Sequence, residues 1–164
     1  MLVSLEYKAM EGQRIQAVLA AVGALPAAAL VLGKEVSSGA PFFALALVTT
    51  TAAYLFWLYV DGVYYLTMAP LEREEREFMA RRGYHFQHAC FAYGSSSLLL
   101  SLYGLAAVHS GLTTSIPVWV GFVVTLVLAL AILLHCAVCQ LIRNKLLVIA
   151  AQAVERDRDR ADAG

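Results

Sequence analysis

The chain has 164 residues, 60% of them hydrophobic and 15% charged, with a mean hydropathy of +0.69. Soluble domains are about half apolar and about a quarter charged, so an apolar surplus gathered in long runs excludes an ordinary soluble domain and points to a membrane protein. Twelve basic and twelve acidic residues cancel, leaving no positive excess to draw in nucleic acid and no acidic block.

The chain opens MLVSLEYKAMEGQR, with Glu6 and Glu11 ahead of the first apolar run. A cleavable leader needs a basic start and a small-residue cleavage site, so the first run is read as a retained span. A helix needs about 20 apolar residues to cross a bilayer. Four stretches meet that length, at about 15–33, 41–68, 85–108 and 116–141. Pro26 is expected to disturb the first, because proline removes a helix hydrogen bond. The second is rich in threonine and aromatics (TTTAAYLFWLYVDGVYY), and Tyr64 and Tyr65 suit an interfacial belt.

Between the second and third spans, LEREEREFMARRG reads as a charged helix over about 71–82, with Glu72–Arg76, Arg73–Glu77 and Glu77–Arg81 four residues apart. Gly83 is expected to end it. The linkers GKEVSSGA and HSGLTTSIP carry breaker residues, and Pro117 suits a helix start. The fourth span is followed by NKLLVIAAQAVERD, which can continue as helix, and by a charge-alternating tail expected to fray from about 155 to 164.

All basic residues except Lys34 lie in the N-terminal stretch, the middle connection or the C-terminal stretch. The positive-inside rule places those three regions in the cytosol or on a matrix-like side. The expectation is an all-α, polytopic four-helix bundle with both termini inside and cytosolic helical extensions. Its partners would be the lipid bilayer and either further copies of itself or other membrane subunits.

Two sets of residues stand out. Gly94, Ser97, Ser101 and Gly104 recur at spacings of three and four on the third span. Small residues at that spacing let helices approach closely, within one bundle, at an oligomer seam or along a pore. The second set gathers near the inner boundary. Counted inward from Arg82, His85 lies about 4 Å deep and His88 about 9 Å. Counted inward from Arg143, Cys139 lies about 6 Å deep and Cys136 about 10 Å. Asp61, His135 and Gln140 sit near the same level.

Two imidazoles and two thiols suit tetrahedral zinc, and thiolates also favour Cu(I), so His85, His88, Cys136 and Cys139 are a candidate metal set. Haem b held by His88 and His135 is a further reading. Thiol–disulfide exchange fits poorly, because the Cys-x-x-Cys is near a helix C-terminus, whose dipole disfavours thiolate. The plain alternative is that the cysteines pack and the polar groups anchor the interface. No phosphate-binding loop or aligned nucleophile and base is legible. The leading expectation is a non-enzymatic membrane subunit, forming an oligomeric pore or serving a larger complex. The alternative is a metal- or haem-binding membrane protein.

Overall fold

The computed structural model describes residues 2–32, 38–66, 70–110 and 118–163, with side chains from Gly12 onward except those of 64–66, 110, 118–122 and 125. Four helices account for nearly all of it: α1 (Leu2–Leu32), α2 (Ala40–Leu66), α3 (Arg73–Ser110) and α4 (Val118–Asp162). No strand occurs among the described residues. Each helix contains a stretch long and apolar enough to cross a membrane, as a multi-pass membrane protein requires. Pro117 and the centres of both short linkers lie outside the described residues, as do the side chains of Tyr64 and Tyr65.

The helices are longer than the expected spans. α3 has 38 residues and α4 has 45. At about 1.5 Å per residue they measure about 57 and 68 Å, roughly twice the hydrocarbon thickness. The excess lies where the charges are, at the start of α3 and the end of α4. These two ends run antiparallel beside each other.

Two expectations are corrected here. Gly83 does not end the charged helix; α3 runs through it into the span. A Cβ at Gly83 would come 3.2 Å from Val63 Cγ1, so the glycine serves close approach to α2. The tail does not fray at 155, because α4 stays helical to Asp162. Arg156 reaches across to α3 and donates to both carboxylate oxygens of Glu75, at 2.6 and 2.8 Å. Arg156 and Arg160 also approach Glu72, at 3.4 and 3.7 Å. Glu75 in turn accepts from the Glu72 backbone N–H, which makes it part of the α3 N-cap. Two arginines of the tail have found carboxylate partners on α3 while the rest of its charges face water.

α2 is the hub. It packs against all three other helices, most extensively against α3. The α2–α3 contact is built from small residues. A Cβ on Gly104 would lie 2.7 Å from the Phe43 ring, and one on Gly39 would lie 2.6 Å from the Gly104 carbonyl oxygen. Ser97 is fully buried, donates to the Ala46 carbonyl at 2.8 Å and shares a hydrogen bond with Thr50. Gly94 faces Leu19 and Ala53. The Gly94/Ser97/Ser101/Gly104 stripe is thus the face that α3 turns toward α2 and α1.

α4 attaches differently. Its backbone rarely comes close to α3, and it lies mainly along α2. Its buried positions among the described side chains are Ile132, Cys136, Cys139, Leu146, Ala150 and Ala153. With half-buried Arg143, they repeat at alternating spacings of four and three, a heptad seam. The outer faces of α3 and α4 are apolar and exposed, including Phe91, Leu98, Leu102, Leu130, Leu134 and Leu141. Such a surface suits hydrocarbon and would be a liability in water.

Candidate metal centre

Where α2, α3 and α4 meet lies an aromatic nest. Phe56 and Tyr59 come from α2, Phe86 and Tyr93 from α3. Phe56 stacks on Tyr93 at 5.3 Å between centroids, and Tyr59 meets Phe86 at 5.4 Å. His135 of α4 inserts its ring here, 5.2 Å from Phe56, and its Nδ1 is 2.8 Å from the Tyr93 hydroxyl. That hydrogen bond fixes the ring and leaves Nε2 as the nitrogen available to a ligand.

Beside His135 lie His85 of α3 and Cys139 of α4. One donor atom from each of the three falls within 4.8 Å of the others. Zinc bonds of about 2.0–2.3 Å in tetrahedral array set donor atoms about 3.3–3.8 Å apart, so closing this triad takes side-chain rotation of about 1 Å. Burial is graded: His85 is exposed, His135 half-buried and Cys139 fully buried. An ion would meet His85 first and the thiol last. Tyr93 would then be the outer partner that orients a ligating histidine.

Of the residues singled out from the sequence, His85, Cys139 and His135 converge. His88 does not join them; it is exposed, and its ring meets Tyr84 edge-on at 4.1 Å. His88 and His135 therefore do not face each other as a haem pair would. Cys136 is buried in the seam, outside the triad. Asp61 is half-buried on α2 and also outside it. Gln140 donates along its own helix to Asn144 at 3.2 Å. The three-residue spacing of the cysteines is that of the seam itself, and one of the pair reaches the triad.

The level His135 shares with His85 and Cys139 was legible in the sequence, but Tyr93 and the nest were not. A signal existed. Met79, Phe86, Tyr93, Leu100 and Ala107 recur every seven residues along α3. That row marks Tyr93 as facing inward, where a hydroxyl needs a partner. Compared with protein families, characterised proteins and solved structures, the chain matches none.

Proposed function

We propose that this is a multi-pass membrane protein, with both termini on the cytosolic or matrix-like side, that binds a metal ion at the inner ends of α3 and α4. The observation that carries this reading is the convergence of His85, His135 and Cys139 donors within 4.8 Å. The orientation rests on the basic residues near the helix ends, which favour the inner side. The donor set is the chemistry of zinc or copper, and the nest around His135 supplies the packed support such ligands need. The test is metal analysis of the detergent-purified protein after metal loading and desalting. One ion per chain, lost in Cys139→Ser and in His135→Ala, is expected. A metal-free wild type sinks the reading.

One observation favours a second reading, a subunit assembled with copies of itself or with other membrane proteins. Beyond Lys145, α4 buries Leu146, Ala150 and Ala153 but exposes Leu147, Val148 and Val154. In the proposed orientation that strip lies outside the hydrocarbon, where an apolar face calls for a covering partner. Val148→Glu with Val154→Glu should reduce the native mass of the purified particle. An unchanged mass removes the strip from any assembly. The Gly94–Gly104 face is already packed against α2 and α1, so a pore through it has no support from this geometry.

A further inference from the structure

The charges around the triad bear on which ion it holds. No carboxylate belongs to the donor group. Two arginines flank the triad residues in sequence, Arg82 three residues before His85 on α3 and Arg143 four residues after Cys139 on α4. Arg82, whose guanidinium lies over the Phe78 ring at 5.3 Å, interacts electrostatically with both Cys139 and His85. Arg143 lies over the Tyr59 ring at 5.9 Å, in the same seam as Cys139. Neither arginine forms an ion pair among the described residues.

A divalent ion on one thiolate and two neutral imidazoles leaves a net charge of +1. Here it would sit near the Arg82 guanidinium, with its thiolate ligand Cys139 fully buried. Uncompensated charge is costly in such surroundings. A monovalent ion on the same three donors is neutral. Three donors converge here, so a zinc ion would need a water as its fourth ligand, whereas a three-coordinate ion would need none. The nearest further thiol, Cys136, is buried in the seam and is not among the converging donors. Thiolate is also the ligand type that selects Cu(I).

Resting on the proposed metal-binding reading, we infer that the His85–His135–Cys139 triad is a three-coordinate site for a monovalent, thiophilic ion, Cu(I), and that Arg82 disfavours a divalent ion there. Cys136 is then a packing residue that the ion does not need. If zinc were the ligand, a second thiolate from Cys136 would be the group that neutralises it.

The experiment uses the full-length protein in detergent, titrated anaerobically with Cu(I) or with zinc against a chelator of known affinity for each. X-ray absorption then counts the bound ion's neighbours. One Cu(I) per chain is expected, with one sulfur and two nitrogens. Cys136→Ser should leave Cu(I) affinity unchanged. Cys139→Ser should weaken it at least about 100-fold, since outer partners alone are worth about 10–100-fold. Arg82→Gln should strengthen zinc binding about 10-fold, as removal of an outer-shell charge would, and leave Cu(I) nearly unchanged. The neighbour count on the wild type needs no variant to fold. Four-coordinate zinc bound in preference to Cu(I), whether completed by the Cys136 sulfur or by a water, would overturn the ion assignment while leaving a metal site. Stoichiometric binding of neither ion would overturn both.

Discussion

α3 meets α2 and α4 in two contrasting ways. Against α2 it offers glycine and serine, and the backbones come so near that an added methyl has no room. Against α4 it offers long side chains, joined at Tyr93–His135, at the His85–His135–Cys139 triad and at the Glu75–Arg156 pair. The first contact is a fixed joint, in which small residues allow dispersion and interhelical hydrogen bonds to act at short range. The second leaves space between backbones, and chemistry fills that space. Groups able to hold an ion collect where helices stand apart on side chains.

The contrast can be broken from either side. The largest effect is expected at Phe56, which is fully buried and touches Tyr59, Tyr93 and His135. Phe56→Ala should cost about 3 kcal/mol or more of stability and also lower ion affinity, because it empties the nest. Unfolding in detergent alongside an ion titration checks both. Gly104→Leu drives a side chain into Phe43 and should cost about 1–3 kcal/mol. It should leave ion binding intact, because the joint and the triad lie at different depths. Loss of both together would mean that the two contacts are one unit.

Tyr93→Phe removes the hydroxyl that orients His135 and should weaken ion binding about 10–100-fold with little change in stability. An unchanged affinity would show that the nest positions His135 without that bond. Ser97→Ala removes a buried interhelical hydrogen bond and should cost only about 0.6 kcal/mol, the average for such bonds in a membrane.

The smallest effect is at the helical ends outside the spans. The Arg156 guanidinium and the Glu72 N–H hold the Glu75 carboxyl below its ordinary value. The lowered value means the pairing is fully present above the ordinary carboxylate pKa. It is lost as pH falls through the lowered value in the folded protein. Amide exchange over residues 150–162, relative to an unstructured chain at the same pH, should therefore be slow near neutral pH and speed up only in strong acid. Glu75→Gln should speed it at neutral pH. Equal exchange in wild type and Glu75→Gln would remove this pair as the reason the tail is ordered.

Four spans were legible because twenty-residue apolar runs have few other meanings. That His85, His135 and Cys139 lie at one level was legible too, because a helix rises evenly from a charged marker such as Arg82 or Arg143. Helix ends were not. Gly83 reads as a stop by local preference, but packing on Val63 carries the helix through. The 155–164 tail reads as loose because its partner, Glu75, is some eighty residues earlier. Which side chains meet across α3 and α4 was only half legible. Three-residue spacing grouped His85 with His88 and Cys136 with Cys139, but each helix turns only one member of its pair into the triad. His135 entered because rotation of α4 is set by its heptad seam on α2, a property of the whole helix and not of the HCAVC motif.

The most direct test is the metal content of purified wild-type protein beside Cys139→Ser, Cys136→Ser and His88→Ala. One ion per chain in the wild type, kept in Cys136→Ser and His88→Ala and lost in Cys139→Ser, is the expected result. A wild type that carries no ion, or an ion that depends on His88 and Cys136 but not on Cys139, would contradict it.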